Sequence, residues 1–246
     1  IAWYFYQKNV LNHASMIHLK SAKEKIHTLN TLTNHPLTII PNPIEKIDRK
    51  KKRGNSNDLF KYLSNKKVIL YVGRLVEQKG LMNLLSCWEK LNHLLDDWVL
   101  VISGAPENNN YDEPFYKNLN NKLSNSKYLN HINILDSHNS YNAQSINVLL
   151  TGPVYETLKE NLYFRSSVFI NPSSFENYGQ SIAEALSYNL PVIISKNTPW
   201  DNIETNKCGW LLENNNNNLM ELLKHVLGLS HEYLRKMGSN SSKLIL

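Results

Sequence analysis

The sequence predicts an α/β fold built on a doubly wound, Rossmann-like parallel sheet. Short apolar runs rich in β-branched residues recur along the chain, and segments with apolar residues at helical spacing separate most of them. The runs are continuously apolar rather than alternating, which is typical of strands that helices cover on both faces. These observations place the predicted sheet between about residues 66 and 230.

Each predicted element rests on a local pattern. The helix that begins near residue 80 carries an apolar stripe of Leu81, Leu84 and Trp88, and a later helix presents Ile182 and Leu186 at the same spacing. The predicted strands are the runs at about 37–40 (LTII), 67–72 (KVILYV), 99–103 (VLVIS), 147–151 (NVLLT), 167–170 (SVFI), 191–195 (PVIIS) and 209–212 (GWLL).

The first forty residues have a different character. They begin with an aromatic-rich helical pattern, continue with a short strand near 16–19, and then open a helix at Ser21 with Glu24 in capping-box position. We interpret residues 1–40 as the remnant of a preceding domain and residues 41–246 as a second domain whose carboxy-terminal end is incomplete.

Composition narrows the classes of function. The chain has 246 residues, 41% of them hydrophobic, and a net charge of +6, which favours an anionic partner without choosing one. The basic cluster RKKKR at 49–53 has no interleaved aromatic residues, so we do not expect nucleic-acid binding. Two cysteines without CxxC spacing, no apolar run of about 20 residues and no signal-peptide pattern predict a cytoplasmic protein.

Two cations follow the predicted strand at 67–72. Gly73 leaves the strand, Arg74 and Lys79 lie in the loop GRLVEQKG, and a helix begins near Gly80. Ligands of doubly wound sheets bind beyond the carboxyl ends of the strands, where free helix amides attract anions. Because a guanidinium offers a planar fork and an ammonium offers a point charge, this loop suits a diphosphate.

Two acids and a glycine follow the predicted strand at 167–170. Glu176 precedes a turn that contains Gly179, and Glu184 lies within the next helix in the sequence ENYGQSIAE. The glycine allows a close backbone approach, and the helix start offers free amides. Glu184 lies too far into the helix to gain much from its dipole, so we expect it to accept hydrogen bonds from sugar hydroxyls. The loop after 147–151, with Gly152, is either a simple turn or a source of main-chain contacts to a nucleobase.

The motifs together resemble a known family. GRLVEQKG, the E-x7-E pair of Glu176 and Glu184, the segment NLPVIIS and the entry segment IIPNPIE are similar to the carboxy-terminal, donor-binding domain of retaining glycosyltransferases of family 4, which have the GT-B architecture. The resemblance covers roughly residues 37–238. The sequence departs from the family pattern at Pro43, Ala105 and Tyr178, and none of these positions removes a charged contact.

The resemblance implies a role for each matching residue. Arg74 and Lys79 would hold the diphosphate of a nucleotide-sugar donor, Glu184 the ribose, and Glu176 the transferred sugar; Glu176, Arg74 and Lys79 are the expected catalytic residues. The remaining expected donor contacts come from backbone of Gly73, Gly152, Tyr178, Gly179 and Gln180. No cofactor and no metal are expected, because fixed cations can neutralise the leaving diphosphate.

The resemblance also implies partners and leaves alternatives open. The partners would be a nucleotide-sugar donor and a glycan or lipid-linked acceptor of polysaccharide or lipopolysaccharide synthesis. The aromatic opening IAWYFY either contacts a membrane peripherally or packs within the missing domain, and the second is the simpler account. The acceptor-side domain is missing from this sequence, so we expect the chain to bind a donor without turning it over. A nucleotide-sugar epimerase of the same architecture and a non-catalytic binding module remain the alternatives.

Overall fold

The protein is described by a computed structural model, which covers residues 8–29, 36–44, 47, 58–133, 146–213, 216–241 and 244–245. The aromatic opening at 1–7 and the basic cluster at 49–53 lie outside these residues. Within them, no helix is long and apolar enough to cross a membrane.

Strands and helices alternate along the chain. The strands are β1 (Ile17–Leu19), β2 (Leu37–Ile39), β3 (Lys67–Val72), β4 (Trp98–Ser103), β5 (His131–Asn133), β6 (Val148–Gly152), β7 (Val168–Asn171), β8 (Val192–Ser195) and β9 (Gly209–Leu212). The helices are α1 (Lys8–Asn12), α2 (Ala22–Leu29), α3 (Asp58–Leu63), α4 (Leu81–Lys90), α5 (Pro114–Asn125), α6 (Glu156–Arg165), α7 (Gln180–Ser187), α8 (Asn216–Leu227) and α9 (His231–Ser241).

The predicted parallel sheet is confirmed. Seven strands pair in the order β5-β6-β4-β3-β7-β8-β9, and every pairing is parallel. The chain builds outward from β3 through β4 on one side and then returns to β7 on the other side. The neighbours β3 and β7 therefore form the topological switch point, where doubly wound sheets bind their ligands.

Helices cover both faces of the sheet, and two separate cores result. Alternate residues of β3 enter different cores: Ile69 joins the cluster with α4, α5 and α8, whereas Leu70 joins the cluster with α3, α6 and α7. Period-two alternation with both faces buried is why the strands read as unbroken apolar runs. The stripe of α4 is fully buried at Leu84 and Trp88, and the indole of Trp88 donates a hydrogen bond to the carbonyl of Asn147 at 3.1 Å.

The segment from α1 to β2 forms a small unit of its own. β1 and β2 pair in a separate parallel two-stranded sheet. The hydroxyl of Ser21 accepts a hydrogen bond from the backbone amide of Glu24 at 3.1 Å, as the capping pattern predicts, while the Glu24 carboxylate accepts from the amide of Lys20 at 2.6 Å. That residues 1–40 belong to a preceding domain stays a prediction.

Candidate active-site cleft

Two loops meet at the switch point because a glycine allows them to. Gly80 ends the loop after β3 in the left-handed conformation, with φ of +71°, and a Cβ there would lie 2.5 Å from the carbonyl oxygen of Pro172 after β7. The amide of Ser174 donates to the carbonyl of Gln78 at 2.8 Å and ties the same two loops together. The carboxyl ends of β3 and β7 therefore share one rim.

A cleft of about 280 Å³ opens at this rim. All four predicted charged side chains line it, together with Gly73 and the predicted helix residue Gln180. The lining residues are Tyr71, Val72, Gly73, Arg74, Lys79, Asn171, Glu176, Gln180, Ser181 and Glu184.

Lys79 and Glu176 form a buried ion pair in the wall of the cleft. The Lys79 ammonium lies 2.6 Å from Oε1 of Glu176, and the two side chains are only 10% and 14% exposed. Asn171, the last residue of β7, donates its side-chain amide to the same oxygen at 3.0 Å. The ion pair with Lys79 and the hydrogen bond from Asn171 together fix the Glu176 carboxylate, because a buried charge is stable only when it is paired and hydrogen-bonded.

Arg74 lies at the open side of the cleft. Its guanidinium pairs with Oε1 of Glu107 at 2.6 Å, but its side chain is 54% exposed. The hydroxyl of buried Tyr71 donates to the backbone carbonyl of Arg74 at 2.7 Å and holds the start of the loop. Burial, and secondarily the negative charge of Glu176, raise the pKa of Tyr71, so this hydroxyl remains a donor.

Glu184 contacts two residues of α6. Its Oε1 pairs with the Lys159 ammonium at 2.9 Å, and its Oε2 accepts a hydrogen bond from the hydroxyl of Tyr163 at 2.9 Å. Tyr163 is fully buried, and burial together with the charge of Glu184 raises its pKa well above the ordinary value. The carboxylate is thus fixed by a permanent donor and a cation.

The turn before α7 has the geometry that the sequence predicts. Gly179 is the N-cap with φ of +76°, and a Cβ there would lie 2.7 Å from the Cδ1 atom of Ile182. No side chain caps this end of α7, and the carbonyl of Tyr178 accepts a hydrogen bond from the Trp200 indole at 2.8 Å. Gln180, the first residue of α7, lines the cleft, whereas Tyr178 and Gly179 are not part of its lining.

Gly152 lies at the same rim but outside the lining of the cleft. It ends β6, which is two strands away from β3. Backbone hydrogen bonds connect Gly152 with Gly73 through the end of β4. The amide of Gly104 donates to the carbonyl of Gly152 at 2.9 Å, and the amide of Gly73 donates to the carbonyl of Ser103 at 3.0 Å. Its contact with a nucleobase stays a prediction.

Several lining or supporting residues were not predicted from the sequence, among them Tyr71, Asn171 and Ser181 of the lining and Lys159 and Tyr163 of α6. Asn171 carried a signal, because it is a polar residue at the carboxyl end of a buried strand. Lys159 and Tyr163 lie at i and i+4 on α6, so they share a helix face, but only the tertiary structure brings that face to Glu184. Among the described residues, no group of three His, Cys, Asp or Glu side chains is arranged to hold a metal ion.

The fold is a doubly wound α/β domain with a charged cleft at its switch point, and comparison with known proteins gives its family. Residues 55–244 match the family model of the glycosyl transferases group 1, so the chain belongs to that family. It is 26% identical over 228 residues to an uncharacterized glycosyltransferase of Haemophilus influenzae, an alignment that covers 91% of this chain and 52% of that relative.

Solved glycosyltransferase structures share the fold. A structure of trehalose-6-phosphate synthase, studied for glycosyltransfer with retention, superposes with a TM-score of 0.71 at 13% identity over 97% of this chain and 59% of its own. A related structure from E. coli bound with UDP-2-fluoro glucose gives 0.70 at 12% identity over the same shares, 97% and 59%. WaaG, a glycosyltransferase involved in lipopolysaccharide biosynthesis, gives 0.65 at 15% identity over 93% and 57%. The chain therefore spans a little more than half the length of these relatives.

Proposed function

We propose that this chain is the donor-binding half of a retaining, family 4 glycosyltransferase that takes its sugar from a nucleoside diphosphate. The observation that carries the proposal is the cleft between β3 and β7. It gathers Arg74, Lys79, Glu176 and Glu184 around about 280 Å³ at the switch point of the sheet.

The charges of the cleft suit the parts of such a donor. Arg74 offers an exposed fork of donors and Lys79 a fixed point charge, and both carry positive charge toward the place where a diphosphate would leave. Transfer would form a bond between the acceptor oxygen and the anomeric carbon and break the bond from that carbon to the diphosphate. The departing phosphate oxygen would take the acceptor's proton. Cations positioned beforehand stabilise the charge that develops on the leaving group, which is our reason for expecting no metal.

The two acids would divide the sugars of the donor between them. Glu176, fixed by Lys79 and Asn171, would accept hydrogen bonds from the transferred sugar. Glu184, deeper along α7, would accept from the ribose hydroxyls. Tyr178, Gly179 and Gln180 would add main-chain donors at the start of α7, and Gly152 would adjoin the base.

The relatives support the wider proposal. A nucleotide sugar binds to the E. coli neighbour, retention is studied in trehalose-6-phosphate synthase, and lipopolysaccharide synthesis employs WaaG. By analogy, the acceptor here would be a glycan or a lipid-linked sugar, and the enzyme would work in the cytoplasm with peripheral membrane contact. Because the chain spans about half of these relatives, we propose that by itself it binds the donor without transfer.

Calorimetric titration with UDP and GDP tests the binding step. We expect one of them to bind, and we expect Arg74→Ala and Glu184→Ala each to weaken that binding by roughly tenfold or more, since a charged hydrogen bond contributes about 1.5–3 kcal/mol. Lys117→Ala is the matched control, because Lys117 pairs with Asp112 on an exposed surface. The proposal would be refuted if neither diphosphate binds and an oligonucleotide binds the unaltered chain and both variants equally well.

A further inference from the structure

Helix α6 presents two side chains to the carboxylate of Glu184. Lys159 approaches Oε1 and Tyr163 approaches Oε2, each at 2.9 Å. The contacts come from consecutive turns of one helix, so they hold the carboxylate plane as well as its position. Glu184 lines the cleft, whereas neither Lys159 nor Tyr163 is part of the cleft lining.

A count of hydrogen-bonding positions shows what remains available on Glu184. An ionised carboxylate has about four lone-pair positions, two on each oxygen. Lys159 uses one position on Oε1 and Tyr163 uses one on Oε2. One acceptor position on each oxygen therefore remains, which is the complement of two hydroxyl donors on adjacent carbons.

We propose that Tyr163 is a positioning residue that sets Glu184 to receive a vicinal diol and thereby makes the site select ribonucleotide over 2′-deoxyribonucleotide donors, and that Lys159 offsets the charge of Glu184 so that a diphosphate with either sugar can bind. This inference rests on the proposed function, because it takes the diol to be that of a nucleotide ribose. A 2′-deoxy donor would leave one of the two remaining acceptor positions of a partly buried carboxylate unfilled, which costs free energy that a ribose would not.

Tyr163 is held firmly enough for this role. Its ring is fully buried and stacks on Tyr188, with ring centroids 5.3 Å apart and an interplanar angle of 12°. Its hydroxyl also lies 3.3 Å from the carbonyl of Ser181, but a phenol has one proton, and the shorter contact is with Glu184. The ring packing therefore aims a single donor at a single carboxylate oxygen.

Lys159 has a different task, which is electrostatic. Its side chain is 35% exposed, so its hydrogen bond is less strictly oriented than that of Tyr163. Its charge offsets that of Glu184 at a rim that would receive a diphosphate. Without Lys159, the uncompensated charge of Glu184 would repel every nucleoside diphosphate, whatever its sugar.

The two roles give different results in one experiment. Dissociation constants for UDP and 2′-deoxy-UDP, and for GDP and 2′-deoxy-GDP, are measured by calorimetry on the chain and its variants. We expect the unaltered chain to prefer the ribo form by roughly tenfold, and Tyr163→Phe to reduce that preference to about twofold, since it removes one hydroxyl and keeps the ring stacking. We expect Lys159→Met to weaken ribo and deoxy forms by equal factors and Lys159→Arg to restore both.

The control is a lysine–glutamate pair of similar exposure at another place. Lys122 and Glu89 join α5 to α4 with side chains 25% and 23% exposed, so Lys122→Met should change neither affinity nor preference. A ribo preference that survives intact in Tyr163→Phe, or a chain that binds without any preference, overturns this inference and leaves the proposed function standing. Failure of the unaltered chain to bind any of the four nucleotides removes both.

Discussion

Substitution of Lys79 by Met removes one partner of the buried pair in the cleft. Lys79 and Glu176 are 10% and 14% exposed, and without the lysine the Glu176 carboxylate keeps only the Asn171 amide at 3.0 Å. Breaking a buried pair in this way costs about 3–5 kcal/mol. Because the pair borders an open cleft that admits water, we expect the lower end of that range, about 3 kcal/mol of unfolding free energy.

The assay is urea unfolding, monitored by circular dichroism. Lys79→Met should lower the free energy of unfolding by about 3 kcal/mol, which corresponds to a melting temperature lower by roughly 6–12 °C for a domain of this size. Lys117→Met is the control, because the Lys117–Asp112 pair is exposed on both sides, and exposed pairs contribute little.

A double variant distinguishes loss of the pair from loss of packing. In Lys79→Met with Glu176→Gln, the charge that lost its partner is gone, so the double variant should be more stable than Lys79→Met by about 1–2 kcal/mol. If Lys79→Met unfolds like the control, or if the two substitutions add to a larger loss, the account of a mutually compensated pair is wrong.

Two further predictions concern the rim and the core. Gly104→Ala should destabilise the chain by at least about 2 kcal/mol and weaken nucleotide binding, as measured by urea unfolding and calorimetry, because a Cβ at Gly104 would lie 1.8 Å from the carbonyl oxygen of Gly73. Burial raises the pKa of the Cys208 thiol from 9.0 to about 11, so a thiol reagent at pH 8 should label it only after unfolding. Since the folded-state pKa is the higher one, the stability due to the neutral thiol is complete below about pH 9 and is lost as the pH rises toward about 11 in pH-dependent unfolding.

Most strands of the sheet were predictable because they are buried on both faces. The observed bounds of β3, β7 and β9 differ from the predicted runs by no more than one residue at either end. The exception is β5, whose residues His131–Asn133 form an edge strand of three residues. So short a strand with polar ends has no apolar run and no measurable period, and only its pairing with β6 makes it a strand.

The charged side chains of the site were predictable, because ligands of parallel sheets bind beyond the carboxyl ends of the strands. The residues of α6 that support them were not predictable. Arg74, Lys79 and Glu176 lie in the loops that follow β3 and β7, so the sequence places them at the carboxyl rim. α6 gave no comparable signal, because it buries the consecutive residues Asn161, Leu162 and Tyr163 instead of a stripe at helical spacing. The order of strands explains why Gly152 does not line the cleft, because β4 separates β6 from β3. The sequence does not reveal that order.

The pairing of charges in the cleft constrains how a diphosphate could enter. Each cation contacts an acid: Arg74 with Glu107, and Lys79 with Glu176. The Arg74 pair is about half exposed, so giving it up costs little, whereas the Lys79 pair is buried and costly to break. An incoming diphosphate would therefore take Arg74 from Glu107 and add its charge to a Lys79–Glu176 pair that stays intact. On this argument Arg74 is the cation that moves, and Lys79 is the one that keeps Glu176 in place for the sugar.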